Sequence, residues 1–145
     1  MSDQTLFEKI LSGEIPSHEI GRGNSWYAFL DIFPQREGHT LVVPHKAASR
    51  LSQLNDQEIA GLFSGIKDAQ QKLGKIFSTQ DFTICIHDGP LAGQEVPHVH
   101  VHVIPRTKGD GGLTLMSMWP KTKPVGEPDH ATLAKLSEQV AELTS

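Results

Sequence analysis

The chain has 145 residues, of which 37% are hydrophobic, and a formal net charge of −4 at pH 7. This length suits one domain, and the hydrophobic content is too high for a disordered chain. Thirteen basic residues against seventeen acidic ones argue against a protein that coats nucleic acid by neutralising its phosphates. A local site for a small phosphorylated ligand is compatible with this balance.

Cysteine usage and hydropathy predict the compartment. The single cysteine, Cys85, can form neither an internal disulfide nor a cysteine-based zinc site. The first residues lack a basic segment followed by an apolar run, and no apolar run approaches the ~20 residues that span a bilayer. We therefore expect a cytoplasmic protein without a signal peptide and without membrane association.

The first third of the chain predicts a short helix and then three strands. Thr5 and Glu8 have capping-box spacing at the start of a helix over 5–12, which Gly13 ends. Strands are predicted at residues 17–21, 25–31 and 39–43. Because only short links join these strands, an antiparallel meander is favoured over crossover units.

A long helix and two more strands follow. Asn55 is a good N-cap with Glu58 three residues later, an apolar stripe follows at helical spacing, and Gly74 is the expected end. Further strands are expected at 82–86 and 98–104, an extended loop at 107–128 and a C-terminal helix at 129–143. Strands and helices in mixed order predict an α+β fold, organised as one domain over 1–145.

The histidines are concentrated in one segment. Four of the eight lie between His87 and His102, and histidine alternates with valine through the last five residues of this window. Side chains two residues apart point to the same face of a strand, and valine favours strands. The pattern therefore predicts a valine face for the core and an opposite face that displays His98, His100 and His102.

Three interpretations of this row of imidazoles are open. In a zinc site, His98 and His102 would lie about 13 Å apart along the strand at ~3.3 Å per residue, too far to share one ion easily. A polar sheet face would explain one or two histidines. In a nucleophilic site, a neutral imidazole attacks phosphorus. Neighbouring imidazoles about 7 Å apart would repel each other by roughly 2.4 kcal/mol if both were charged, at an effective dielectric of ~20, and this repulsion favours the neutral form. Backbone amides near Gly93 would then hold phosphate oxygens.

The segment from Gln94 to Val103 resembles the H-x-H-x-H-x-x signature of the histidine triad (HIT) superfamily. The flanking residues 88–94 and 104–106 look most like its fragile-histidine-triad branch of dinucleoside polyphosphate hydrolases. Upstream, residues 6–16 resemble nucleoside phosphoramidate-hydrolysing members, and residues 28–32 and 38–44 resemble both branches. The resemblance covers a core of residues 5–106.

The resemblance implies a HIT-like α+β protomer with an antiparallel sheet of about five strands, which dimerises into one continuous sheet. It also implies hydrolysis at an α-phosphate through a covalent nucleotidyl-histidine. His100 matches the nucleophile, His98 would fix its orientation, and His102 would contact the phosphate or the bridging oxygen. His39 matches the remaining family histidine, which supports the triad.

The resemblance also assigns binding residues. Asp31 matches the position that binds the ribose hydroxyls, where a carboxylate accepts two hydrogen bonds. The apolar base pocket is expected to include Phe7, Ile10, Leu30 and Ile32, although core packing explains these four equally well. The phosphate side is expected to include His87, Gly93, Gln94, Glu95 and Val96.

Two of these positions depart from the family pattern. His87 stands where Gln or Asn is usual, and a protonated imidazole there would contact the phosphate chain; a surface histidine at a strand end is the alternative. Glu95 stands where Ser or Thr is usual. A carboxylate there repels phosphates unless it is protonated, turned away or assists the leaving group.

We therefore predict a nucleotide hydrolase that acts on dinucleoside polyphosphates, with nucleoside phosphoramidates as the second substrate class. The alternatives are nucleotidyl transfer to a sugar phosphate and a nucleotide-binding regulatory protein with negligible turnover. The sequence requires no cofactor and predicts no protein-bound metal, while Mg²⁺ or Mn²⁺ is compatible with a polyphosphate substrate. The expected partners are a nucleotide and a second copy of the chain, with no nucleic acid polymer and no membrane.

Overall fold

The computed structural model describes residues 3–121 and 127–143. The chain forms two compact units that divide between Asp110 and Gly111. The first unit contains the sheet with two helices, and the second contains a short 3₁₀ helix and the C-terminal helix. The organisation as one domain over the whole chain stays a prediction.

The first unit has its helices and strands in the predicted order. It contains α1 (Leu6–Leu11), β1 (Glu19–Arg22), β2 (Trp26–Leu30), β3 (Thr40–Pro44), α2 (Asp56–Phe77), β4 (Phe82–Ile86) and β5 (Val101–Pro105). Short 3₁₀ helices lie at Leu51–Gln53 and Pro90–Ala92. The second unit contains a 3₁₀ helix at Leu115–Met118 and α3 (His130–Ala141). The predicted α+β class with five strands is confirmed.

The strands form one antiparallel sheet in the order β1-β2-β3-β5-β4. The first three strands are neighbours in sequence, as expected of a meander. Between β3 and β4 the chain runs through α2, and β5 then pairs with both β3 and β4. Consequently β5 is an inner strand and β4 lies at an edge of the sheet.

The main core lies between the sheet and α2. Val99, Val101 and Val103 are fully buried in it, which confirms the predicted valine face. The Asn55 side chain caps α2 as predicted. The helix continues past Gly74 and ends where Ser78 adopts the left-handed conformation with φ 51°. Gly74 does not end the helix because a glycine stop requires a positive φ, which Gly74 lacks.

On the opposite face of the sheet, α1 covers a second, smaller cluster. Its buried members are Phe7, Tyr27, Phe29, Leu41 and Val43. The alternation of side chains along β5 places the histidines on this face, because the valines occupy the other one. The row of imidazoles therefore lies beside the apolar cluster under α1.

The last strand is shorter than the predicted 98–104. It begins at Val101, so that only His102 of the three histidines lies in regular strand. Pairing with β3 ends at Val42 and Val101. Pro44 lacks the amide hydrogen that would extend the ladder, and the Val99 amide donates to the Ala48 carbonyl oxygen at 2.7 Å instead. His98 and His100 thus lie in an extended segment fixed by other contacts.

In the second unit, the predicted C-terminal helix is α3. The Asp129 side chain caps it by accepting a hydrogen bond from the Thr132 amide. The predicted loop 107–128 contains the 3₁₀ helix, and its residues 122–126 lie outside the described residues. No helix within the described parts of the chain combines the length and apolar character of a membrane span.

Candidate active site

The site begins with α1, whose first residues contact two of the histidines. The Thr5 hydroxyl accepts a hydrogen bond from the Glu8 amide, and the Glu8 carboxylate accepts one from the Thr5 amide, which together form a capping box. This cap orients the helix so that the Phe7 ring packs edge-on against His98 and His100, with ring centroids 5.9 and 4.9 Å away. The helix therefore forms one wall of the histidine row.

His98 is fully buried and held at both ring nitrogens. Its Nε2 lies 3.0 Å from the Pro44 carbonyl oxygen, which can only accept, so Nε2 carries a proton. Its Nδ1 lies 3.2 Å from the Thr5 hydroxyl and is left to accept. Burial is the main cause that lowers the pKa of His98. The ring is therefore a neutral, fixed imidazole.

His100 has one anchored nitrogen and one that is available. Its Nδ1 lies 2.8 Å from the His98 carbonyl oxygen and therefore donates to it. Within the described residues, the opposite nitrogen, Nε2, has no hydrogen-bond partner, so it keeps its lone pair in the neutral ring. Burial lowers the pKa of His100, assisted by the nearby His87. These are the properties of a nucleophilic imidazole.

His102 belongs to a chain of hydrogen bonds that starts at the backbone. The Gln35 amide donates to His39 Nδ1 at 3.1 Å, so the proton of neutral His39 resides on Nε2. That Nε2 lies 2.9 Å from His102 Nδ1 and donates to it. The proton of His102 is consequently on Nε2, where it can donate to a ligand. Burial, followed by repulsion from His100, lowers the pKa of His102 to about 4.

One cluster of side chains has the spacing of a metal site. It contains one potential ligand atom from each of Asp31, His39 and His102, and these three atoms lie within 4.8 Å of one another. The hydrogen bonds do not suit a metal site. A metal-ligating histidine usually donates from its second nitrogen, whereas His39 Nδ1 accepts from the Gln35 amide. Binding a metal at His39 Nε2 would require removal of the proton that His102 receives. The donor set therefore fits a hydrogen-bond relay better than a protein-bound metal.

His87 joins the row from the loop that precedes it. Its ring centroid lies 5.3 Å from that of His102. Gly93, at φ +96°, faces the same ring, and a Cβ on Gly93 would lie 3.4 Å from His87 Nδ1. The structure thus brings His87 and Gly93, both predicted on the phosphate side, next to each other beside the triad.

The Gln94 side chain makes hydrogen bonds within the protein, and its predicted contact with a ligand stays a prediction. Its side-chain oxygen accepts from the Gly89 amide at 3.1 Å, and its side-chain nitrogen donates to the Ser49 carbonyl oxygen at 2.9 Å. The Asp88 carboxylate accepts from the Leu51 amide at 2.9 Å. The loop over 88–94 is therefore fastened to the turn at 49–51, and the Gln94 amide is engaged within the protein.

Two neighbours of this loop differ in exposure. Glu95 is exposed, and its charge acts weakly to raise the pKa of His100. Val96 is half-buried against the cluster under α1. The backbone of Val96 also accepts a hydrogen bond from the His98 amide at 2.8 Å. The Glu95 side chain is thus available to a ligand, whereas Val96 mainly packs.

The four residues of the predicted apolar pocket lie in different surroundings, and their contact with a base stays a prediction. Phe7 and Ile10 pack in the cluster beside the histidines. Leu30 alternates with Phe29 along β2 and lies on the opposite face of the sheet, and Ile32 is 69% exposed. Phe29, which the sequence analysis did not include, also packs in this cluster, with its ring centroid 5.7 Å from that of Phe7.

Asp31 lies at the end of β2 next to the histidine relay. One carboxylate oxygen accepts from the Phe33 amide at 2.9 Å, and the other lies 3.7 Å from His39 Nε2. Asp31 also raises the pKa of His39 slightly against the larger effect of burial. The second carboxylate oxygen of Asp31 can therefore accept a hydrogen bond from a ligand hydroxyl.

Fold and site together define a histidine-triad protein: an α+β sheet that presents a row of neutral imidazoles beside an apolar wall. The sequence model described as the HIT domain matches residues 12–109. The chain belongs to the HIT domain family, which confirms the resemblance found in the sequence.

Relatives carry two kinds of enzyme name. The chain is 47% identical over 110 residues to the asymmetrical bis(5'-nucleosyl)-tetraphosphatase of Schizosaccharomyces pombe, covering 76% of this chain and 59% of that protein. It is 33% identical over 135 residues to adenosine 5'-monophosphoramidase of Saccharomyces cerevisiae, covering 93% and 79%. The crystal structure of a histidine triad nucleotide-binding protein from Candida albicans matches with a TM-score of 0.81 and 29% identity, covering 96% of each chain. These names support the prediction of a hydrolase of phosphoric anhydride or phosphoramidate bonds.

Proposed function

We propose that the protein is a nucleotide hydrolase that cleaves at the α-phosphorus through a covalent nucleotidyl-histidine on His100. The observation that carries this proposal is the Nδ1–H of His100 held 2.8 Å from the His98 carbonyl oxygen, which leaves Nε2 as a free electron pair on a neutral ring. A neutral imidazole needs no deprotonation before it attacks. The lowered pKa of His100 keeps this form dominant near neutral pH.

The proposed reaction has two balanced steps. In the first, the lone pair of His100 Nε2 forms a bond to the α-phosphorus, and the leaving group departs with the electron pair of its broken bond to that phosphorus; an amine leaving group takes the proton it needs from solvent. In the second, water attacks the same phosphorus, the phosphorus–nitrogen bond breaks with its electron pair returning to His100 Nε2, and a nucleoside monophosphate is released together with one proton to solvent. The positive charge that the ring carries in the adduct is stabilised because Nδ1–H still donates to the His98 carbonyl oxygen.

His102 is the proposed donor to the phosphate or the bridging atom. The relay from Gln35 through His39 leaves the His102 proton on Nε2. A neutral donor suits a leaving group whose oxygen or nitrogen gains negative charge as its bond to phosphorus breaks. His87 and the exposed Glu95 border the same space and would determine which leaving group is accepted.

Dinucleoside polyphosphates are the first proposed substrate class. This choice is supported by the resemblance of residues 88–94 to that branch and by the identity of 47% to a tetraphosphatase. Nucleoside phosphoramidates are the second class, supported by the relative that aligns with 93% of the chain. In either class, the Asp31 carboxylate would accept hydrogen bonds from the ribose hydroxyls, and the cluster around Phe7 and Phe29 would pack against the base.

The test is mass spectrometry of the intact protein after brief incubation with diadenosine polyphosphates and adenosine phosphoramidate. Because phosphorus–nitrogen bonds are labile in acid, the reaction is quenched at alkaline pH. We expect one added nucleoside monophosphate on the wild type and none on His100→Ala, which should lose turnover while it still binds nucleotide. The exposed His130→Ala is the control and should behave as the wild type. Full turnover by His100→Ala would exclude this mechanism.

No protein-bound cofactor is proposed. Mg²⁺ or Mn²⁺ would act only as a partner of the polyphosphate chain, whose charge it neutralises. We therefore expect EDTA to slow hydrolysis of a diadenosine polyphosphate more than that of a phosphoramidate, which carries less charge. Equal inhibition of both would instead indicate a metal on the protein.

We also propose that the protein is cytoplasmic and that two chains form a homodimer. β4 is an edge strand, and apolar side chains of β4 and α2, including Ile84, Phe63 and Ile76, are exposed. Pairing of two β4 strands would continue the sheet and cover these side chains. Sedimentation at micromolar concentration should give the mass of two chains, and a monomer would contradict the proposal. The unpaired Cys85 suits a reducing compartment.

A further inference from the structure

We propose that Thr5 is a positioning residue that keeps His98 neutral and in a single tautomer, so that the adjacent nucleophile can become positively charged. The inference rests on the proposed function of His100. It goes beyond that function because it assigns a role in the reaction to the N-cap residue of α1. In the sequence, this residue indicates only the start of a helix.

The Thr5 hydroxyl has two partners with opposite roles. It accepts a hydrogen bond from the Glu8 amide at 3.1 Å, which caps α1. Its own proton is then available for His98 Nδ1 at 3.2 Å. The second nitrogen of His98 donates to the Pro44 carbonyl oxygen at 3.0 Å. Each polar atom of the ring therefore has one partner, and every donor faces an acceptor.

This arrangement opposes a second proton on His98. If Nδ1 became protonated, it could no longer accept the Thr5 hydroxyl proton, and the hydroxyl would have to rotate to offer its second lone pair. The groups that act on the charge of His98 are Glu8 of α1, which favours the cation, and His100, which opposes it. β3 contributes the Pro44 carbonyl and contains no titratable side chain. Burial of the ring adds to the preference for the neutral form.

The neutral state of His98 matters because of what its neighbour does. When His100 Nε2 bonds to phosphorus, the His100 ring acquires a positive charge while its Nδ1–H stays on the His98 carbonyl oxygen. A cationic His98 in the same buried row would repel that charge and slow formation of the adduct. Thr5 thus acts through His98, without contact to the reacting atoms.

Three substitutions separate the cap from the effect on His98. Thr5→Ser keeps both hydrogen bonds. Thr5→Asp keeps a good N-cap acceptor but replaces the donor with a carboxylate, which favours protonated His98. Thr5→Val removes both bonds. Asn55→Ala is the matched control, because it removes the N-cap of the same capping-box type from α2, away from the histidines.

The first measurement is independent of turnover. Long-range ¹H–¹⁵N spectra of the ligand-free protein report the tautomer and charge of His98 from pH 5.5 to 8.5. We expect a neutral Nε2–H ring throughout this range in the wild type and Thr5→Ser. Thr5→Asp should show a cation at the acidic end. The proposal is overturned if His98 keeps its wild-type nitrogen shifts in Thr5→Asp.

The second measurement is hydrolysis of diadenosine tetraphosphate over the same pH range. Thr5→Val should lower kcat about tenfold with little change in KM, as expected when a buried acceptor loses its donor. Thr5→Asp should be slow at pH 6 and recover towards pH 8, because His98 then loses its extra proton. Thr5→Ser and Asn55→Ala should retain the wild-type kcat. If Thr5→Val fails to fold, the comparison of the pH profiles of kcat for Thr5→Asp and Thr5→Ser tests the role of Thr5.

The two measurements distinguish the two possible failures. A wild type that forms no adduct and does not hydrolyse the nucleotide would refute the proposed function, while the spectra would still decide the tautomer of His98. A wild-type rate and a flat pH profile in Thr5→Asp, with an active enzyme, would refute the role of Thr5 alone.

Discussion

Acidification should destabilise the folded protein through His102, and the size of the effect follows from its burial. The pKa of His102 in the folded state is about 4, against an ordinary value of 6.5. Between these two pH values, the unfolded chain binds a proton at this site and the folded chain does not. The contribution of His102 to stability is therefore complete above pH 6.5 and is lost as the pH falls towards 4.

The difference between 6.5 and about 4 corresponds to about 3 kcal/mol when each pKa unit is worth 1.36 kcal/mol. About 2 kcal/mol of this should already be lost between pH 7.5 and pH 5. His39, His98 and His100 also have lowered pKa values, so the total loss in the wild type will be larger. A variant at His102 alone is needed to isolate its share.

The measurement is urea unfolding at pH 7.5 and pH 5.0. His102→Asn is chosen because its side-chain oxygen can take the place of Nδ1 and accept from His39 Nε2. We expect the wild type to lose about 2 kcal/mol more than His102→Asn between the two pH values. The exposed His130→Asn is the control and should match the wild type. An equal loss in the wild type and His102→Asn would show that His102 is not kept neutral by burial.

Two further substitutions test the loop beside the triad. Gly93→Ala should lower the free energy of unfolding by about 1–3 kcal/mol, because it forces an alanine to φ +96° and brings its Cβ to 3.4 Å from His87 Nδ1. The control is Gly109→Ala, at φ +73° with nothing within 4 Å of the added Cβ, which gives the cost of the backbone conformation alone. Thermal unfolding of both variants is the measurement. Gln94→Glu should cost about 1–3 kcal/mol in urea unfolding, because the donor bond to the Ser49 carbonyl oxygen is lost. A change below about 0.5 kcal/mol would show that this bond does not hold the loop.

The sequence predicted elements where the signal is local. The caps at Thr5 and Asn55 form as expected, because a capping box involves residues only three positions apart. The period of two in the segment up to His102 predicted the valine face correctly, although regular strand begins only at Val101. That boundary depends on Pro44 in a partner strand far away in sequence, which a single-strand pattern cannot reveal.

The state of each ring could not be predicted in the same way. The tautomer of His98 depends on the Pro44 carbonyl oxygen, 54 residues away, and that of His102 depends on His39, 63 residues away. Repulsion within the row, which the sequence did indicate, acts in the expected direction on His102. Desolvation is the larger cause, and it depends on packing against rings such as His39 and His87 that no spacing rule contains.

The alternation in the sequence gives three identical side chains, and the structure gives each a different chemistry. His98 has both nitrogens engaged, so it can neither attack nor titrate easily. His102 accepts at Nδ1 and therefore presents a proton on Nε2, which makes it a donor. Only His100 donates at Nδ1 to a carbonyl and presents a lone pair on Nε2. The choice of nucleophile therefore depends on which nitrogen meets which backbone or hydroxyl group, because burial lowers the pKa of all three rings alike.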